Sequence, residues 1–236
     1  MNQELANIIK IYATEPHIKL TDYLIGKSKD TLIGILVDLL TMYINDKNSS
    51  TIREFITVTM AGYNHREKKI GYNGFKQDSF IPGATINCEA KPKNIDTVEF
   101  ERFERGERKT RPMKLNGGGN FTDYTALRLQ KDLQEKNLNM LVSGFVDGKL
   151  IYILEFPFSC PTFVNNLKLK VERWQGKMQG SQSTKGQFLR SADFDYTNYI
   201  YCSKLKVVYL LSKPELVKYK PYIISEFYQF LEGKAK

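Results

Sequence analysis

The chain of 236 residues carries 35 Lys and Arg against 26 Asp and Glu, a formal net charge of +9, with 42% hydrophobic and 12% aromatic residues. That is ample material for a core without staples, and the positive surplus suits a polyanion, nucleic acid before others. Cys88, Cys160 and Cys202 lie far apart without CxxC spacing, which argues against a disulfide framework or structural zinc site, and the lack of a leader pattern or of any apolar run near the roughly 18 residues of a membrane span predicts a soluble, cytoplasmic protein with no membrane partner.

In chain order, a first helix is expected near residues 2–13. Over residues 30–45, Leu32, Ile33, Leu36, Leu39, Leu40 and Tyr43 recur at helical spacing behind a cap at Ser28 or Asp30, predicting a helix whose apolar face enters the core. A further helix over residues 50–60 ends at Gly62-Tyr63-Asn64. Residues 1–62 thus read as a helical N-terminal extension ahead of an α/β core over 63–236.

Strands are expected near 84–91 and 96–103, followed by a glycine-rich stretch over 115–120 and a helix over 122–136. The clearest hairpin joins 140–146 to 149–156 through Asp147-Gly148, a pair suited to positive φ. A helix over 164–174, a polar loop over 175–187, a strand over 206–211 and a closing helix over 214–231 complete one α/β unit without repeats or long linkers.

Within ATINCEAKP, residues 84–92, strand alternation puts Ala84, Ile86, Cys88 and Ala90 on one face and Thr85, Asn87, Glu89 and Lys91 on the other. E-x-K triplets also begin at Glu67, Glu107 and Glu232, in polar, charge-dense stretches, but only Glu89-x-Lys91 ends a strand whose opposite face is apolar. A charged pair there needs partners, because burial without them is costly. A divalent cation supplies one. Glu89, a second carboxylate from the chain before it and a main-chain carbonyl are the hard oxygen donors Mg²⁺ prefers, and Lys91 faces the same phosphate as a point charge or helps deprotonate the attacking water.

The stretch GYNGFKQDSFIPGATINCEAKPKN, with Asp78, Glu89 and Lys91, resembles the PD-(D/E)xK active site of the restriction-endonuclease-like superfamily over residues 70–165. The resemblance implies a central mixed sheet flanked by helices and a Mg²⁺-dependent type II restriction endonuclease. Such an enzyme hydrolyses phosphodiester bonds in double-stranded DNA at a short sequence, as a homodimer. Asp78, Glu89 and Lys91 become its catalytic residues, with the metal on Asp78, Glu89 and the Ala90 carbonyl. The family's first acid usually follows a proline or sits in a strand, whereas Asp78 lies in a polar loop. Asn73 is therefore the alternative at that position, with Asp123 as the compensating acid. The rival readings are a structure-specific nuclease or resolvase on the same core, and a non-catalytic DNA-binding protein in which Glu89 and Lys91 are structural.

Two segments are candidates for DNA contact. Residues 99–114 interleave Arg102, Arg105, Arg108, Lys109, Arg111 and Lys114 with Phe100 and Phe103, bringing cations to phosphates. Four glutamates in the same stretch make a solvated charged hairpin the plain alternative. Residues 175–190 are rich in Gln, Ser, Gly and Lys, and Lys177, Gln182, Lys185, Gln187 and Arg190 suit base edges and phosphates at a groove. His17 and His65 lack a metal-ligand neighbour at helical spacing. The run Gly117-Gly118-Gly119 lacks the lysine and hydroxyl of a P-loop, which argues against a nucleotide cofactor.

Overall fold

The computed structural model describes residues 3–45, 50–66, 71–79, 81–178 and 189–236. Four helices lead, α1 (Gln3–Thr14), α2 (His17–Leu24), α3 (Lys29–Asn45) and α4 (Ser50–Met60). Strands β1 (Asn64–His65), β2 (Gly74–Gln77) and β3 (Thr85–Ile95) follow, then α5 (Thr97–Glu104), β4 (Gly119–Tyr124) and α6 (Ala126–Gln134). The hairpin β5 (Leu138–Val146) and β6 (Lys149–Pro157) leads to α7 (Pro161–Met178), β7 (Leu189–Phe194), β8 (Lys206–Leu210), α8 (Lys213–Leu216) and α9 (Ser225–Lys234). The central sheet is mixed, in the order β1-β2-β3-β5-β6-β8, with β3 and β5 parallel and the other neighbours antiparallel; β4 and β7 form a separate antiparallel pair.

The β5–β6 hairpin forms as its sequence predicts. Asp147 (φ 48°) and Gly148 (φ 77°) both take the left-handed conformation that matches a two-residue turn to the twist of its strands. Its apolar runs are buried on both sides, as a sheet covered on both faces requires. Met140, Val142, Leu154 and Phe156 share one core with Phe163 and Leu167 of α7 and Phe227 and Leu231 of α9. Phe145, Leu150 and Ile153 meet Leu5 and Ile9 of α1 and Ile56 of α4 on the other face. The N-terminal helices therefore share the sheet's core.

Five expectations change. The segment expected as a strand over 96–103 is helix α5, because Asp96 caps it by accepting a hydrogen bond from the Val98 amide, and Glu99–Arg102 and Glu101–Arg105 pair across a helical turn. The closing helix is interrupted by a 3₁₀ stretch, Val217–Tyr222, containing Pro221, whose ring nitrogen has no hydrogen for the helical ladder. The helix expected from 122 starts at Ala126, since 119–124 is β4. The apolar face of α3 is mostly uncovered: Ile35 is buried, but Leu36 and Val37 are each 54% exposed. Strand β3 also runs beyond its expected end at Lys91, because β2 pairs no further than Cys88 while β5 accompanies β3 to Ile95. Pro92 thus occupies an edge position, where a missing N–H is tolerated. Among the described residues no helix is long and apolar enough to cross a membrane.

Candidate functional site

Cys88 and Ala90 pack against Val58, Tyr63 and Leu141, so alternation along β3 turns Glu89, Lys91 and Lys93 toward the opposite side. Glu89 is 5% exposed. Lys91 Nζ donates to Glu89 Oε1 at 2.7 Å, and Arg128 Nη2 donates to the same oxygen at 3.3 Å. The other carboxylate oxygen, Oε2, is buried and has no hydrogen-bond partner among the described residues. Buried carboxylate oxygens nearly always have one.

Arg128 is delivered by α6, whose N-cap Thr125 accepts from the Arg128 amide. Its guanidinium lies 5.8 Å from the centre of the Phe121 ring and 5.6 Å from that of Tyr124, and its Nε is 3.8 Å from Asp132 Oδ2. Asp132 is buried and accepts from the hydroxyls of Tyr72 (3.1 Å) and Tyr124 (2.8 Å). Burial raises the Asp132 carboxyl above its usual range against the pull of Tyr124, Arg128 and Tyr72. Burial, with Asp132 alongside, also pushes both tyrosine hydroxyls up, so they remain donors.

Lys91 is confined as well as paired. Its Nζ sits 4.4 Å from the centre of the Phe121 ring, within cation–π range, and a Cβ on Gly119 would come within 2.6 Å of Lys91 Cβ. Strand β4 approaches the charged face of β3 this closely only because residue 119 has no side chain.

Asn73 ties β3 to α4. Its Oδ1 accepts from the Ala90 amide at 2.7 Å, and its Nδ2 donates to Glu54 Oε2 at 3.1 Å. Glu54, Asn73, Glu89, Ala90, Lys91 and Arg128 line one cavity of about 880 Å³. A neighbouring cavity of about 520 Å³ shares Ser50, Glu54, Ala90 and Lys91 with it.

Glu89, Lys91, Ala90 and Asn73 thus come together, and Asp78 does not. In the β2–β3 hairpin Gln77 lies opposite Thr85, and the Asp78 amide donates to the Ala84 carbonyl at 2.9 Å. That places Asp78 about 16 Å along the strand from Glu89, at about 3.3 Å per residue. Its Oδ1 accepts instead from the Ile81 amide. Asp123 is exposed on β4, with φ 51°. Two acids on the cavity wall are not among the sequence-based candidates, Glu54 and Asp132, and of these Glu54 is the one bonded to Asn73. Its only sequence signal is that Ser50, Thr51 and Glu54 fall on one helical face, and Arg128 has no more than an i,i+4 acid, Asp132.

In the basic segment, Glu99 pairs with both Arg102 and Arg108, and Glu107 with Arg105. Lys109 and Arg111 are exposed, Lys114 is half-buried, and no carboxylate among the described residues pairs with any of the three. Lys177 lies in the last turn of α7 and Arg190 on β7. Gln182, Lys185 and Gln187 lie outside the described residues.

Among the described residues no group of three or more His, Cys, Asp or Glu side chains converges to hold a metal ion. A cation at Glu89 Oε2 would draw on that oxygen, the Glu54 carboxylate and neutral oxygens. Mg²⁺ fits such a set, since one or two carboxylates commonly hold it while water and substrate phosphate complete its shell. Compared with known proteins, the chain matches no family model, and no curated protein matches it.

Proposed function

We propose that this chain is a Mg²⁺-dependent endonuclease that hydrolyses phosphodiester bonds of double-stranded DNA at a short sequence, on a restriction-endonuclease-like core. The observation that carries the proposal is Glu89. A purely structural ion pair has reason to satisfy both carboxylate oxygens, whereas here one is held by Lys91 and Arg128 and the other, buried on a residue that lines the cavity, has no hydrogen-bond partner among the described residues. The mixed sheet with E-x-K on an interior strand and the net charge of +9 support the same reading.

Glu89 Oε2 and Glu54 would hold the ion, with Asn73 fixing their spacing through its bonds to Glu54 and the Ala90 amide. When bound, Mg²⁺ supplies Lewis-acid polarisation of the phosphate and a more acidic water. Lys91 contributes a positive charge beside the phosphate under attack, where charge grows on its oxygens. Glu89 Oε1 and the face of Phe121 keep that ammonium aimed. Arg128 adds a second cation on the same wall, held in place by Asp132 and its two tyrosines.

A homodimer belongs to the same proposal, because cutting both strands of a two-fold site takes two such cavities. The uncovered face of α3 supplies apolar surface for pairing two copies. Sedimentation that finds only monomer while both strands are cut would separate pairing from cleavage.

Incubation of supercoiled plasmid and of branched DNA with the purified chain and Mg²⁺ tests the function. Discrete linear fragments are the expected result. Products confined to branched DNA would replace the reading with a junction-specific nuclease, and retained binding without any product would replace it with a DNA-binding protein.

A further inference from the structure

The cavity beyond Lys91 contains a second lysine in an unusual setting. Lys93 follows Glu89 and Lys91 on the same side of β3, two residues or about 6.6 Å further along. That step is comparable with the distance from one phosphate to the next along a nucleic-acid strand. Lys93 is half-buried on the wall of the 520 Å³ cavity. Its Nζ donates to the Lys114 carbonyl at 3.2 Å and to Asn116 Oδ1 at 3.4 Å.

Both acceptors are neutral, and no carboxylate among the described residues pairs with Lys93. Lys91, by contrast, has Glu89 at 2.7 Å. The acids on the walls of this cavity have partners of their own: Glu54 accepts from Asn73, and Asp193 pairs with Lys170 at 2.6 Å. A half-buried ammonium without a counter-ion is disfavoured, and desolvation lowers its pKa. An anion in the cavity relieves that cost.

The surroundings are built closely around this lysine. Asn116 Oδ1 also accepts from the Gly118 amide at 3.2 Å, which fixes the amide group that Lys93 touches. A Cβ on Gly118 would lie 2.0 Å from the Phe194 carbonyl oxygen, as one on Gly119 would meet Lys91. The glycine run that is not a P-loop therefore lets the chain pack against the Phe194 backbone at Gly118 and against Lys91 at Gly119.

We infer that Lys93, seated by Asn116 in this second cavity, binds the backbone phosphate next to the one at Lys91, so that β3 contacts two successive phosphates of one nucleic-acid strand. The inference rests on the proposed action on nucleic acid and adds a subsite to it.

Binding of a fluorescent duplex in EDTA, followed by anisotropy over a salt series, tests it. Each neutralised phosphate contributes about 0.9 to the slope of log K against log salt. Lys93→Met should lower the slope by about that amount, and Lys93→Arg should preserve it. Thermal melting confirms that each variant is folded, and Lys93→Gln provides a second charge-free side chain. An unchanged slope in the folded charge-free variants overturns the inference. Plasmid cleavage is read separately. Loss of slope with no Mg²⁺-dependent cleavage by wild type would retire the nuclease and leave the phosphate subsite standing, whereas a wild type that binds no nucleic acid overturns both.

Discussion

Replacing Lys91 with methionine removes one charge while keeping an unbranched stem to fill the space against Gly119 and Phe121. The Lys91 and Glu89 side chains are 18% and 7% exposed, and removing one partner of a buried pair typically costs about 3–5 kcal/mol. Here the loss is smaller, because Arg128 still reaches the same carboxylate oxygen at 3.3 Å and its own side chain is 39% exposed. Water and the second cation therefore share the burden, leaving a destabilisation of about 1–2 kcal/mol. A chain of this size loses roughly 2–4 °C of melting temperature per kcal/mol, so the variant should melt about 2–8 °C lower. Cleavage should fall much further. Removing a preorganised electrostatic stabiliser of the transition state costs on the order of 10²–10³ in rate. Single-turnover cleavage at saturating DNA and thermal melting of the same preparation separate the two effects. A folded variant that cuts within threefold of wild type would refute the role given to Lys91.

Asp78→Asn should leave the Mg²⁺ dependence of cleavage unchanged, since that side chain lies at the other end of the hairpin, whereas Glu54→Gln should require a higher Mg²⁺ concentration for half-maximal rate; metal titrations that reversed this order would move the second carboxylate back to Asp78. Joint replacement of Lys109 and Arg111 by alanine should lower the salt slope of DNA binding by about 1.8, at about 0.9 per phosphate, while Arg105→Ala, which removes a residue already paired with Glu107, should change it little. Lys93 titrates below its ordinary value of 10.5 because of desolvation, so between its folded value and 10.5 the unfolded chain binds more protons and wild-type stability rises with pH. Any advantage of Lys93→Met in urea denaturation at pH 7 should therefore shrink as pH approaches 10.5, and a difference that grew would contradict the cause assigned to the shift.

The hairpin was legible because Asp147-Gly148 dictates its turn and the flanking apolar runs its burial. Glu89 and Lys91 were legible for a similarly local reason, a charged pair alternating with Cys88 and Ala90 on one strand. The segment over 96–103 misled because its valine and aromatics alternate with charges at nearly strand spacing, while the deciding contacts, the Asp96 cap and the i+3 and i+4 ion pairs, are weak sequence signals. For α3 the spacing correctly revealed an apolar face, but periodicity contains nothing about what covers it. The second carboxylate of the proposed metal site was out of reach for a different reason. Choosing Glu54 over Asp78 depends on the β2–β3 register and on Asn73 bridging two elements, and both are properties of three-dimensional pairing. Lys93 was hidden by Pro92, which reads as the end of a strand that in fact continues along an edge.

If the Glu89 oxygen that has no partner among the described residues serves a metal-dependent cleavage reaction, Glu89→Gln should disable it with almost no change in shape. The amide retains an oxygen for Lys91 and Arg128 but withdraws the charge a divalent ion needs. Single-turnover cleavage of plasmid in Mg²⁺, with binding of the same DNA in EDTA as the control, should show discrete fragments for wild type and at least a hundredfold slower cutting by the variant at matched DNA occupancy. Equal cleavage by the two proteins, or none by wild type with any divalent cation, would mean that Glu89 holds no catalytic metal.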